Sequence, residues 1–279
     1  MTIIRIASFS EGNIGGNPAG VYISDQHPSV AEMQSIAADV GYSETAFAEP
    51  SQDGWRVRYF SPESEVPFCG HATIALGAAL ARQNGVGVYS LALNETNITV
   101  EGFAVAGGYS AALQSPKTRS RPADDAAVQA ALKIFGYEQQ DLDPNIPPAF
   151  ANGGADHLVI SLDSRYKLGA MTYNLDAGRT FMRDLGIVTV MLVYSETEQL
   201  FHTRNPFASG GVYEDPATGA ASAAFAGYLR DINWPHGGAI NIVQGEDMGS
   251  RSLIRAELND VPGSSIRVSG SVRFMKESG

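Results

Sequence analysis

Hydrophobic and polar positions alternate in short runs through the first part of the chain, at the period of β-strands. In Trp55-Arg56-Val57-Arg58-Tyr59-Phe60, Trp55, Val57 and Tyr59 share one face and the two arginines the other, which predicts a half-buried strand. Ile3 to Phe9, Ala19 to Ile23, Asn97 to Val100, Phe103 to Tyr109 and Ala111 to Gln114 read as further strands. Between the early ones, Met33, Ile36, Ala37 and Val40 recur at i, i+3, i+4 and i+7, so Ser29 to Val40 is an amphipathic helix, and Gly41 ends it.

A different pattern follows. Ala72 to Ala81 is apolar on every side and built mostly of small residues, and so is Ala220 to Leu229; a helix of that kind must be buried all round. Each is preceded by a Gly-containing turn, Cys69-Gly70-His71 and Asp215-Pro216-Ala217-Thr218-Gly219. The recurrence predicts an α+β fold of two similar lobes, each a mixed or antiparallel sheet rolled around a central buried helix. Ser115 to Pro122 is polar and bounded by prolines, a linker signal, so the expected lobes are residues 1–116 and 117–279. After it the pattern predicts a helix at Asp124 to Phe135 and a Pro-rich loop at Asp143 to Pro148. Strands are expected near Leu158 to Ser161, Val188 to Tyr194, Ile240 to Gln244, Leu253 to Leu258 and Ile266 to Val268. The last of these are free to pair back onto the first lobe.

A length of 279 residues exceeds one core of ordinary size, which suits a two-lobe division. Thirty acidic residues against nineteen basic give a net charge of −11, and the basic residues are scattered, which argues against nucleic acid or an anionic membrane as partner. An anionic substrate would need local attraction against that global field. A single cysteine, Cys69, forms no intrachain disulfide and supports no Cys-rich zinc site. The first residues enter a strand pattern without a leader-like segment, and no unbroken apolar run reaches the ~18 residues of a membrane span, so the expected location is the cytoplasm.

The first amides of a helix lack intrahelical partners and carry about half a positive charge, so the two Gly-marked starts are candidate anion sites. Taken singly, Gly70 and Gly219 need do no more than allow tight turns. Together, each with ionisable neighbours, they suggest a small-carboxylate site with Cys69 and His71 at one edge and Glu214 and Asp215 at the other. Glu44 is a further candidate, a charge leading into a buried strand. Nucleotide-binding glycine motifs, the GxSxG elbow and HExxH are all missing from the sequence. Five separated histidines predict no local metal cluster, and His236 reads as part of a surface turn. Cys69 is either a nucleophile in a set with His71 and Asp215 or a buried structural thiol.

At these residues the chain resembles the phenazine-biosynthesis PhzF-like family of the diaminopimelate epimerase-like fold. The matching segments are Gly16-Asn17-Pro18-Ala19-Gly20-Val21, Met33 to Phe47 with Ser43-Glu44-Thr45, Phe68-Cys69-Gly70-His71-Ala72-Thr73, Asn152-Gly153, Glu214 to Ala220 and Gln244-Gly245. The resemblance implies a cleft between two lobes, a homodimer, and a proton shift without metal or organic cofactor. It implies Glu44 as acid/base, His71 and Asp215 as its assistants, and a carboxylate cradle at Asn17, Gly70, Ala72, Thr218, Gly219 and Ala220. A group that both takes and returns a proton works best with a pKa near neutrality, and burial beside a second carboxylate moves a carboxyl that way.

Two departures shape the expected function. Phenazine enzymes carry serine where this chain has Ala220, and alanine where it has Cys69, so the reaction type is expected and the phenazine substrate is not. Fold relatives that invert α-carbons use two cysteines; here Cys69 stands at one position and Asp215 at the other, which argues against a thiol-pair racemase or epimerase. The alternative from another class is a non-catalytic protein of the same fold that binds a small carboxylate.

Overall fold

The computed structural model describes residues 3–94 and 96–276. In chain order its elements begin with β1 (Ile4–Ser8), β2 (Asn17–Ile23), α1 (Val30–Val40), β3 (Thr45–Ser51), β4 (Gly54–Phe60), β5 (Glu65–Val66), α2 (Gly70–Asn84), β6 (Gly87–Ala92), β7 (Asn97–Val105), β8 (Gly108–Lys117) and β9 (Arg119–Pro122). They continue with α3 (Asp125–Phe135), β10 (Ala149–Asn152), β11 (Asp156–Leu162), α4 (Arg165–Gly169), α5 (Leu175–Leu185), β12 (Thr189–Thr197), β13 (Leu200–Phe207) and β14 (Val212–Asp215). Last come α6 (Gly219–Asp231), β15 (Ala239–Gln244), β16 (Ser252–Glu257) and β17 (Ser265–Phe274). The fold is α+β and rich in sheet. The chain forms two compact units, Met1–Gln114 with Ser269–Gly279, and Ser115–Val268.

In the first unit β1 and β2 are antiparallel, β2 runs parallel to β3, and β3 turns back onto β4. β4 lies parallel to β6, which continues antiparallel through β7 to β8. β17 pairs with both β8 and β1 and closes the ring. α1 and α2 are the helical crossovers that parallel neighbours require. α1 starts at a reciprocal capping box between Ser29 and Glu32, stops at Gly41 in the left-handed conformation, and packs Met33 and Ala37 against Tyr22, Phe47 and Phe60. α2 packs on β1, β2, β3 and β7, and every residue from Gly70 to Ala81 is buried. Small residues allow this: a Cβ on Gly77 would fall 2.4 Å from Val100 Cγ2, and one on Gly102 would fall 2.3 Å from the Gly77 carbonyl.

In the second unit β9, β10 and β11 are successively antiparallel, β11 and β12 parallel, and β12 and β13 antiparallel. β13 pairs antiparallel with the short β14 and parallel with β15, which turns back onto β16. β11 divides its side chains by the strand period of two. Leu158, Ile160 and Leu162 face a cluster with Phe135 of α3 and Phe181 and Met182 of α5. His157, Val159 and Ser161 take the opposite face. α6 packs on β9, β10, β11 and β16 and is buried from Ala221 to Arg230.

Several expectations need correction. Phe103 to Tyr109 is not one strand: β7 ends at Val105, and a turn through Gly107, φ +83°, starts β8. Ser115 to Pro122 is not a linker but the end of β8 and all of β9, because its polar side chains find distant partners; Thr118, for one, is buried and accepts from Arg230 Nη2 at 2.5 Å. His236 stands in a turn yet is buried, its Nδ1 accepting from the Gly238 amide at 3.0 Å. Both all-buried helices start earlier than their apolar runs, at Gly70 and Gly219. Among the described residues no helix is long and apolar enough to cross a membrane.

Candidate active site

Glu44 ends the loop between α1 and β3, where its carbonyl accepts from the Gly20 amide at 3.2 Å and is thereby held against β2. Its side chain is mostly buried, and Oε2 lies 3.4 Å from Nε2 of His71, the second residue of α2. Ser43 Oγ is also 3.4 Å from that nitrogen. On the far side of the imidazole, Cys69 Sγ lies 3.3 Å from Nδ1. The surrounding backbone is tied down. Ser8 Oγ donates to the His71 carbonyl at 2.7 Å, and Asn17 is buried opposite Ser8 in the β1–β2 pair. Directly after Ser8 comes Phe9, fully buried yet at φ +63°, a costly conformation for a bulky residue that the packing enforces. Thr73 Oγ1 donates to the Cys69 carbonyl at 2.7 Å and shares a 2.7 Å hydrogen bond with Tyr59. Burial pushes the Tyr59 phenol well above its usual range, with the Thr73 bond acting the other way, so the phenol stays protonated.

Carboxylate, imidazole and thiol therefore stand in series. Each can donate in one protonation state and accept in the other. The ligand atoms of these three residues lie within 4.8 Å of one another, a spacing that also suits an ion. The carboxylate lies 3.4 Å from Nε2, and the thiol is nearest Nδ1 at 3.3 Å, with Nε2 4.0 Å away.

The second Gly-marked start is built differently. Asp215 ends β14, buried, with its Oδ2 accepting from Thr218 Oγ1 at 2.5 Å. Gln244, fully buried at the end of β15, donates from Nε2 to the Asp215 carbonyl at 2.7 Å and to Thr218 Oγ1 at 2.9 Å, and its Oε1 accepts from the Thr218 amide at 3.1 Å. Gly245 follows at φ +73°, where a Cβ would fall 2.7 Å from the Pro216 carbonyl, so only glycine brings this strand end against the turn. Glu214 is committed to structure. Arg204 Nε and Nη2 bond its two carboxylate oxygens at 3.0 and 2.5 Å, and Arg204 Nη1 donates to the carbonyls of Gly169 and Met171. Burial opposes the Arg204 charge, but the Glu214 bonds outweigh it and hold the guanidinium above its usual range.

Of the residues singled out in the sequence, Glu44, Cys69 and His71 meet in the first unit, with Gly70 and Ala72 buried in the same helix start. Asp215, Thr218, Gly219 and Ala220 form the turn and start of α6 in the second. Sequence patterns gave no role to Ser8, Ser43 or Tyr59, which are ordinary strand or loop residues in their local context. Arg204 carried a weak signal, a charge inside an otherwise strand-like run.

The model of the PhzC-PhzF family, described as phenazine biosynthesis-like protein, matches residues 6–277. The "Uncharacterized isomerase mll1393" of Mesorhizobium japonicum is 30% identical over 274 residues, covering 90% of this chain and 88% of its own length. The "Uncharacterized isomerase YddE" of Escherichia coli O157:H7 is 29% identical over 253 residues, covering 87% and 84%. A solved Bacillus anthracis phenazine biosynthesis protein of the PhzF family shares the fold, with a TM-score of 0.85 at 20% identity over 98% of this chain and 96% of its own. By that match through nearly its whole length, the chain belongs to the phenazine biosynthesis-like PhzC-PhzF family.

Proposed function

We propose that the protein is an isomerase that moves a proton within a small unsaturated or cyclic carboxylate, with Glu44 as proton carrier. The observation that supports it most is the mostly buried Glu44 carboxylate 3.4 Å from His71 Nε2, backed by the Cys69 thiol at Nδ1. Relatives named as isomerases over most of their length point the same way. Glu44 takes a proton from a saturated carbon beside the double bond, leaving a delocalised anion. The proton that Glu44 carries exchanges with solvent, and Glu44 delivers one to the other end of the anion in a reversible step, so the double bond moves and the substrate gains or loses no proton overall. His71 orients the carboxylate, and Asp215 assists. The amides at Gly70, Ala72, Gly219 and Ala220, with Asn17 and Thr218, bind the substrate carboxylate and stabilise the anion as it forms. Two similar lobes, a homodimer and independence from metal or organic cofactor belong to the same proposal.

Incubation in heavy water with cyclohexadienyl and α,β-unsaturated carboxylates, followed by NMR, tests it. Deuterium should enter at the two carbons of the shift with wild type and not with Glu44→Gln. Equal exchange by both proteins removes Glu44 from the mechanism, and tight binding without exchange favours a carboxylate-binding protein.

A further inference from the structure

Asn205 in β13 is fully buried, and neither its Oδ1 nor its Nδ2 has a hydrogen-bond partner among the described residues. Native interiors seldom leave a primary amide so, because its desolvation is uncompensated. Two residues earlier on the strand, and so on the same face, Thr203 is buried with its Oγ1 also unpartnered. Strand register identifies what these groups face. Asn205 stands opposite Asp215 in the antiparallel β13–β14 pair, and Thr203 stands beside Gln244 in the parallel β13–β15 pair. Directly opposed residues point to the same face, with Cβ atoms about 4.5–5.5 Å apart. Phe201, two residues before Thr203, packs edge-on against Phe225 at 5.0 Å, so this is the face turned toward α6.

Thr203, Asn205, Asp215 and Gln244 thus share one buried face behind the turn that starts α6. Gln244 is fully engaged with that turn, whereas the Thr203 hydroxyl and the Asn205 amide are not. We propose that Asn205 is a positioning residue for Asp215: with Thr203 it holds an ordered buried water that donates to the Asp215 carboxylate and fixes its direction. Buried waters take two to four polar partners, and this face carries an amide, a hydroxyl and a carboxylate at neighbouring positions of β13 and β14. A leucine of similar size would fill the same volume without the desolvation cost, so the polarity of residue 205 is what calls for a role. The catalytic part of the inference rests on Asp215 serving the reaction proposed above; the water itself does not.

The experiment pairs high-resolution crystal structures of wild type, Asn205→Leu and Asn205→Ser with exchange kinetics on the cyclohexadienyl carboxylate. In wild type a water should lie within hydrogen-bonding distance of both Asn205 and Asp215. In Asn205→Leu that water should be gone and the Asp215 carboxylate turned, and kcat should fall by about 10- to 100-fold with KM within about twofold. Asn205→Ser leaves room for a second water and should recover most of the turnover; it also serves if the leucine variant does not fold. A dry site in wild type, a water retained at Asp215 in Asn205→Leu, or an unchanged kcat overturns the inference while the isomerase proposal stands. If wild type exchanges no carboxylate, the isomerase proposal fails and the crystal structures decide alone: the bridging water and a turned Asp215 uphold the positioning role, and a dry site ends it.

Discussion

The starts of α2 and α6 share a plan and differ in what their ionisable side chains face. Both helices begin at a glycine, after an N-cap residue, Cys69 or Thr218, whose side chain makes no capping bond. At α2 the ionisable side chains address one another, thiol to imidazole to carboxylate. At α6 they are fastened, Asp215 by Thr218 and Glu214 by Arg204. A helix start therefore supplies amides and a local positive potential but does not dictate chemistry. The residues brought to it by neighbouring strands do, Glu44 ahead of β3 in one case and Gln244 from β15 in the other.

The largest expected effect separates the two starts directly. Glu44→Gln should lower the exchange kcat by about 10²- to 10⁴-fold while leaving urea unfolding nearly unchanged. A comparable loss of stability would break the contrast, because Glu44 would then be as structural as Glu214. Next comes Arg204→Met, which leaves Glu214 buried without its partner and should cost about 3–5 kcal/mol in urea unfolding. A variant as stable as wild type would show that Glu214 is not held in the way described.

The second unit should also carry its own acid sensitivity. Burial lowers the His157 pKa from 6.5 to about 4, with the charge of Asp156 opposing, and the ring bonds Thr189 Oγ1 at 2.8 Å through Nδ1. Between those two values the unfolded chain binds the proton and the folded chain does not. The contribution is thus fully present above pH 6.5 and lost as pH falls toward 4, roughly 3 kcal/mol in all. Urea unfolding of wild type against His157→Gln across that range should show a steeper decline for wild type; parallel curves would count against it. The smallest effect is Gln244→Leu. It removes the bonds that Gln244 gives the Asp215 carbonyl and the Thr218 amide, and should cost about 1–3 kcal/mol in stability with a larger loss in kcat than in KM. An unaltered kcat would mean that the second start needs no fastening.

Much of the fold was legible because its signals are local. Ser29, Glu32 and Gly41 announce both ends of α1, and the uninterrupted small apolar residues of α2 and α6 admit no exposed face. Errors arose where polar residues are satisfied from afar. Ser115 to Pro122 looked like a linker because nothing nearby reveals that Arg230 and Ser264 receive Thr118. The meeting of Glu44 with His71 is of the same kind: the β2–β3 pairing and the start of α2 place them together, and the resemblance, rather than any spacing, pointed to the pair. Ser43 belongs to the matching Ser43-Glu44-Thr45 segment, but its contact with His71 has no signal there, since a serine before a strand has many uses. Asn205 was invisible for the opposite reason, because an unpaired amide is recognised only once its surroundings are known.

The closure of the first unit by β17 bears on how the chain folds as it is made. Ile6, Ala7 and Ser8 pair with Phe274, Arg273 and Val272, nearly the full length of the chain apart. Ring closure by so distant a strand carries the entropic cost of a very long loop and slows folding. The ring around α2 therefore stays open during synthesis until residues near 274 have emerged, with the edges of β1 and β8 unpaired meanwhile. The unit that holds Glu44 is for that reason completed only after β17 has been made, and its open edges are where a chaperone or an aggregating neighbour would find the nascent chain.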